Sequence, residues 1–257
     1  MHQVLAMASE IDLRQSPPAM AQRIHRVLRQ LTENGDPYRE IKQRFNRLAL
    51  ELYPRLKRLV VQSNTPLETA VRLAIAGNVI DFGVSSLLRE IDLETAIDEC
   101  LKAEIPRMEL KLFWEAIEEA EKILYIADNA GEIVFDRVFM EELLHHYPNL
   151  KITAGVNSGP VLNDATMEDA RLTGVTQMVE VIDNGSDVPG TILSRCSEEF
   201  RQRFHESDLV IAKGQGNYET LSEAPGKIFF LLMAKCPVIA GDIGCKTGDL
   251  VVLERQR

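Results

Sequence analysis

Four cysteines are spread through the 257 residues, at Cys100, Cys196, Cys236 and Cys245, and no two form a C-x-x-C pair. They read as reduced, mostly buried thiols, which places the chain in the cytoplasm rather than in a secreted disulfide scaffold. Histidine is as sparse: His2, His25, His145, His146 and His205 show no H-x-x-x-H spacing, so imidazole-based metal binding has no motif to rest on. No apolar run approaches the ~18 residues of a membrane span. The first twenty residues hold Asp12, Arg14, Pro17 and Pro18 and no signal-type apolar stretch. There is no G-x-S-x-G elbow for a serine hydrolase and no G-x-x-x-x-G-K-[ST] phosphate loop. Positive charge is in deficit, with 29 Lys and Arg against 39 Asp and Glu, a net charge of −10 and a pI near 5.1. Such a surface repels a phosphate backbone, so no nucleic-acid partner is expected, and a small anionic substrate would need local cations. Carboxylates are so plentiful that pairing two of them for glycoside hydrolysis would be arbitrary.

What is present is a globular composition with 45% hydrophobic residues, enough for a substantial core. The first half reads as helices. "SPPAMAQRIHRVLRQLTENG" has Ser16 at a cap position, Pro17 at the first helical position and Asn34-Gly35 as a stop. The next segment starts at Asp36-Pro37 and carries Ile41, Phe45, Leu48 and Leu52 at helical spacing, with Pro54 expected to kink or interrupt it. "TPLETAVRLAIAGN" predicts a capping box of Thr65 and Glu68, with Gly77 ending the helix. Two further helices fall at "DLETAIDECLK" and "MELKLFWEAIEEA".

From Lys122 short apolar runs alternate with helical stretches: "KILYIAD", "LKITAGV", "MVEVID", "SDLVIAK" and "KIFFLLMAK". Unbroken apolar strands suit a sheet covered on both faces. The expected fold is a three-layer α/β/α core with a mostly parallel sheet over 121–257, preceded by a helical region over 1–120 that packs on it as one unit. "GDLVVLE" would be an edge strand. No internal repeat or low-complexity segment is evident.

In open α/β sheets, ligands bind beyond the carboxyl ends of the strands. Asp128-Asn129, Asn157-Ser158, Asp183-Asn184, Lys213-Gly214 and Lys235-Cys236 follow the five runs. These oxygens and ammonium groups suit a hard cation and an oxyanion better than zinc. Asp128 and Asn129 are candidate ligands for Mg²⁺ or Mn²⁺, and Asp164 lies 36 positions later, about one strand–helix–strand unit away. The same residues also suit turns and helix caps. In "AKGQGNYETL", Lys213 supplies charge and Gly214 and Gly216 allow close approach to an anion, although Glu219 stands where a dinucleotide fingerprint would have its third glycine. "AGNVIDFG" sets Asn78 and Asp81 among apolar residues, either at the roof of the crevice or as helix caps.

Together "IADNAGEIVFD", "NDATMEDA", "AKGQGNYE", "AGNVIDFG" and "KCPVIAGDIGCKTGDLVV" resemble the metal-dependent damage-control phosphatases, long filed as a domain of unknown function, and most closely their compact stand-alone microbial branch. The resemblance spans nearly the whole chain. It implies a phosphatase of small phosphorylated metabolites, such as sugar phosphates or damaged cofactor intermediates. It also implies a metal held by Asp128, Asn129 and Asp164, phosphate contact by Lys213, and Asn78 near the substrate. Mg²⁺, Mn²⁺, Co²⁺ and Ni²⁺ are all compatible with oxygen ligands. Asp128 would serve as a ligand or as the nucleophile of an aspartyl-phosphate route. Asn157, a candidate substrate ligand with Gly214, occupies a position that is often arginine in relatives. Members of this branch often begin with a C-x-x-C pair; it is absent from this sequence, either because that segment is missing from it or because this member has lost the pair. Two other readings are an S-adenosylmethionine-dependent carboxyl methyltransferase, to which "GQGN" bears a loose likeness, and a metabolite-binding protein without turnover. Substrate identity and oligomeric state are not legible.

Overall fold

The computed structural model describes residues 15–79 and 90–255, together with Ser9. Asp81, named above as a possible roof residue, lies outside the described residues. Among the described residues five helices come first: α1 (Pro17–Thr32), α2 (Arg39–Val61), α3 (Pro66–Val79), α4 (Glu90–Lys102) and α5 (Arg107–Glu119). The α/β part follows as β1 (Lys122–Ile126), α6 (Glu132–His146), β2 (Lys151–Val156), α7 (Met167–Leu172), β3 (Glu180–Asp183), α8 (Glu198–Glu206), β4 (Leu209–Lys213), α9 (Gly214–Leu221), β5 (Ile228–Met233), α10 (Pro237–Ile243) and β6 (Leu250–Arg255).

The strands form one sheet in the order β3-β2-β1-β4-β5-β6, all parallel except β6, which runs antiparallel to β5 at the edge. β1 lies between β2 and β4, with Ile123 opposite both Ile152 and Leu209. The winding therefore reverses at β1, and a crevice opens between the carboxyl ends of β1 and β4, where Asp128 and Lys213 stand.

Alternation along each strand sends its side chains to two layers. Ile123, Tyr125, Ile211 and Phe229 join one buried cluster with α2 to α6, built on Leu56, Leu73, Phe113, Phe135 and Phe139. Leu124, Ile126, Val210 and Phe230 face the other way, onto Phe200 and Phe204 of α8, Tyr218 of α9 and Ile239 of α10. The chain is thus an α/β protein with a sheet between two helical layers. The N-terminal helices α2 to α5 share a single core with the sheet rather than forming a separate one. α1 packs apart from that core, on α9. Gln22, Arg26 and Arg29 of α1 all bond to Asp187. All four thiols are free, with Cys100 and Cys196 buried. Among the described residues no helix is long and apolar enough to cross a membrane.

Three local expectations are corrected. Of the kink or interruption expected at Pro54, the interruption does not occur: α2 runs on to Val61. Pro54 is exposed, so the bond it cannot make is lost on the side where water can serve the carbonyl, while Ala49, Leu52 and Leu56 stay packed. Gly77 does not end α3, which reaches Val79. A Cβ there would lie 3.0 Å from Phe135 Cβ and 3.1 Å from Glu132 Cγ, so this glycine lets α3 and α6 approach closely. The Thr65–Glu68 capping box does not form: Thr65 N–H donates to Ser63 Oγ at 3.0 Å, and Glu68 pairs with Arg72 at 2.9 Å.

Candidate active site

The loop after β1 and the loop after β2 are zipped together by their backbones. Ala130 N–H donates to Asn163 O and Ala165 N–H to Asp128 O, each at 2.8 Å, and Asn129 and Asp164 pair as an isolated antiparallel bridge. Residues far apart in sequence, Asp128, Asn129 and Asp164, therefore meet at the crevice. Gly214 opens α9 with φ +78°, and a Cβ on it would fall 1.8 Å from Asp128 Oδ2. The anion that this glycine lets approach is the carboxylate of Asp128.

The two amides beside Asp128 are oriented by carboxylates. Asn78 Nδ2 donates to Asp128 Oδ2 at 3.0 Å and to Glu132 Oε2 at 3.2 Å. Asn129 Nδ2 donates to the same two oxygens at 2.8 and 3.1 Å. With its amino group spent in this way, Asn129 turns its carbonyl oxygen away from the carboxylates. Asp164 Oδ2 accepts from Asn157 Nδ2 at 2.8 Å and from Gly190 N–H at 3.2 Å.

Asp128, Asp164, Asn157 and Asn217 line a small cavity of about 10 Å³, the room of roughly one water or one ion. Asn157 Oδ1 and Asn217 Oδ1 are buried without a hydrogen-bond partner in the chain. Asn129 does not line this cavity but sits half-exposed beside Asp128. A much larger open cleft of about 1310 Å³ lies elsewhere, between Arg72, Trp114 and Asp249. Its walls hold none of these converging groups, so chemistry rather than size marks the site.

Lys213 departs from the expected arrangement. Its ammonium is fully buried and donates to Ala74 O at 2.8 Å, Glu132 Oε1 at 2.6 Å and Asp136 Oδ1 at 2.6 Å. Three donors meet three acceptors, so in this conformation none is left for a phosphate. Asp136 Oδ1 also accepts from Tyr125 OH at 2.7 Å. The cation that bears most on Asp128 is instead Lys235, half-exposed just beyond β5.

The cluster is short of positive charge: the carboxylates of Asp128, Glu132, Asp136 and Asp164 are faced by Lys213, Lys42 and Lys235, and Lys42 is already paired with Asp169. Burial pushes Asp128 well above the usual carboxylate range, reinforced by Glu132 and Asp164 and only partly offset by Lys235 and Lys213. Burial likewise lifts Asp164 to about 7, against the pull of Gly190 N–H, Asn157 and Lys42. Asp136 rises to about 6, burial outweighing Lys213. Folded-state values above the unfolded 3.8 mean that the folded chain holds these protons more tightly. Stability is then fully present below pH ~4 and is lost as pH rises through 6 and 7. Asp187, held below its ordinary value by Arg26, works in the opposite sense only at lower pH. The thermal midpoint of the metal-free protein is expected to fall between pH 5 and pH 8 in a calorimetric series. A flat or rising profile would contradict the uncompensated cluster.

The oxygens suit a hard divalent cation. Among the described residues no three His, Cys, Asp or Glu side chains form a metal-holding group. An ion here would take carboxylate oxygens from Asp128 and Asp164 and complete its shell with amide, backbone or water oxygens.

The sequence profile of the damage-control phosphatase ARMT1-like domain matches residues 1–251. The chain belongs to this damage-control phosphatase family. A relative named damage-control phosphatase from Pyrococcus horikoshii is 36% identical, covering 97% of this chain and 85% of its own length. Another of that name from Archaeoglobus fulgidus is 39% identical over 90% of this chain and 80% of its own. The crystal structure of a DUF89 family protein from Pyrococcus horikoshii superposes with a TM-score of 0.88 at 35% identity, covering 99% of this chain and 88% of that one. These family members support a phosphatase acting on damaged metabolites.

Three residues of this damage-control phosphatase family member, Glu132, Asp136 and Asn217, join the site without standing among the candidates named from sequence. The first two lie one helical turn apart on α6, whose other buried residues are mainly apolar. Two acids at i and i+4 on a buried face were the available signal. Asn217 stands within the quoted glycine-rich stretch, and its Nδ2 donates to Ala127 O at 3.2 Å and Lys213 O at 2.8 Å.

Proposed function

We propose that this chain is a divalent-metal-dependent phosphatase of small phosphorylated metabolites, with Mg²⁺ or Mn²⁺ held by Asp128, Asn129 and Asp164 and with Co²⁺ or Ni²⁺ as possible substitutes. The observation that carries the proposal is the charge deficit where the zipped loops bring Asp128, Asn129 and Asp164 together, with burial and the neighbouring carboxylates disfavouring the ionised form of Asp128. A divalent cation would supply the missing charge and polarise a phosphoryl oxygen. The chain's own residues do the rest. Glu132 fixes the amide of Asn129 so that its oxygen faces outward. Asn157 and Gly190 N–H hold one oxygen of Asp164, leaving the other for the site. Lys235, half-exposed and with its charge felt at Asp128, would offset charge on a phosphate oxygen as it shifts. Lys213, assigned by resemblance to the phosphate, acts through Glu132. Asn78 and Gly214 fix the position of the Asp128 carboxylate rather than reaching substrate. Four free thiols fit a reducing compartment, and we place the protein in the cytoplasm.

The test is phosphate release from a panel of sugar phosphates, nucleotides and pantetheine phosphates with each of the four ions. Release should require a divalent ion and stop with a chelator. Chelator-resistant release would remove the metal from the reaction. Ligand binding without release across the panel would point to a binding protein, and heat on adding S-adenosylmethionine to a methyltransferase.

A further inference from the structure

A second buried polar cluster lies outside the crevice, where α2 crosses the loops that carry Asp128 and Asp164. Lys42 and Asn46 stand one turn apart on α2 and are 2% and 0% exposed. Asp169, in the first turn of α7, is 2% exposed. Its carboxylate accepts from Lys42 Nζ at 2.8 Å, Asn46 Nδ2 at 2.7 Å, Thr166 N–H at 2.8 Å and Thr166 Oγ1 at 2.7 Å. The bonds to Thr166 close a capping box on α7. The cluster also grips both site loops. Asn46 Oδ1 accepts from Gly131 N–H at 2.7 Å, two residues past Asn129. Lys42 Nζ reaches Thr166 Oγ1 at 3.3 Å and Asp164 O at 3.4 Å.

A buried ion pair is weak evidence for stability, because apolar residues of similar volume often serve as well or better. What an apolar patch cannot do is bond to two specific backbone positions on different loops. We propose that Lys42, Asn46 and Asp169 are positioning residues that set the spacing of Asp128 and Asn129 against Asp164, and so the affinity of the site for a divalent ion. This rests on the metal reading above. None of the three lines the cavity; they act through the backbone of the loops.

The experiment is calorimetric titration of Mn²⁺ into the full chain, with thermal unfolding of the metal-free protein alongside. Wild type should give a single-site isotherm. Lys42→Met should lose stability and metal affinity together, since it leaves Asp169 buried without its cation. Lys42→Met/Asp169→Asn removes both charges and keeps an acceptor for the α7 cap. It should regain most of the thermal midpoint yet bind Mn²⁺ about ten- to a hundredfold more weakly than wild type, the range seen for groups that orient ligands from outside. Asn46→Ala, which changes no charge and frees Gly131 N–H, should weaken binding by a similar factor and stands in if the double variant does not fold. Wild-type affinity in the folded double variant, or in Asn46→Ala, overturns the proposal. No Mn²⁺ binding by wild type itself overturns the metal reading, and the positioning role falls with it.

Discussion

Asp128→Asn should abolish metal-stimulated phosphate release, lowering kcat/KM by on the order of 10³-fold or more, while making the metal-free protein more stable. The substitution keeps the shape of the side chain, removes its charge and leaves one carbonyl oxygen to accept from Asn78 and Asn129. Asp128 lies in the field of Glu132 and Asp164, and burial and both neighbours disfavour its ionised form. Without a cation this is stored repulsion, a local cost of the kind functional sites carry. Relieving it should raise the thermal midpoint by about 2–4 °C, the shift expected for roughly 1 kcal/mol in a chain of this length. Metal should then stabilise wild type and leave the variant unmoved. Two measurements separate the premises. Retained turnover would remove Asp128 from the site. Lost turnover with a lower midpoint would keep Asp128 in the site but contradict the charge crowding.

Much of this arrangement is legible in sequence because strands covered on both faces are apolar throughout. "KILYIAD" and "SDLVIAK" announce their ends by the first polar residue, and those ends form the crevice of the sheet. The spacing from Asp128 to Asp164 matches a helix, a strand and a loop, and both do arrive at one place. Side-chain direction is harder to read. The position of Lys213 at the end of β4 suggests that it faces the ligand, yet Leu209, Ile211 and Lys213 share one face of β4 by strand alternation. Leu209 and Ile211 pack toward the α3–α6 layer, so the lysine follows them. Gly77 looked like a helix stop because a glycine's usual local role is visible in sequence, whereas its fit against Phe135 is not. Pro54 is tolerated for a reason of exposure that no local pattern states. Glu132 and Asp136 show their i, i+4 spacing in the sequence, but only the folded contact shows what they hold.

Lys213→Met is expected to destabilise the protein by about 3–5 kcal/mol, the range for removing one partner of a buried charge pair. Glu132 and Asp136 would be left as neighbouring carboxylates, both fully buried, with Ala74 O losing its donor as well. The pairing is strong enough that Asp136 and Glu132 hold the lysine's pKa above its ordinary value despite burial. Turnover should fall too, because Glu132 would no longer be fixed to orient the amides of Asn78 and Asn129. Lowering the pH should narrow the stability gap between variant and wild type. Asp136, already raised by burial, would be raised further without the lysine and hold its proton in the folded state at pH values where the unfolded chain stays ionised, so the variant gains stability as pH falls. Lys213→Met/Glu132→Gln should recover part of the loss for the same reason. A lysine that contacts phosphate directly would behave otherwise. Its loss would raise KM, leave the thermal midpoint of the ligand-free protein near wild type, and gain nothing from the second substitution. Thermal unfolding of the two variants at pH 5 and pH 8, beside KM and kcat for one accepted substrate, therefore decides whether this ammonium serves the substrate or the carboxylates beneath it.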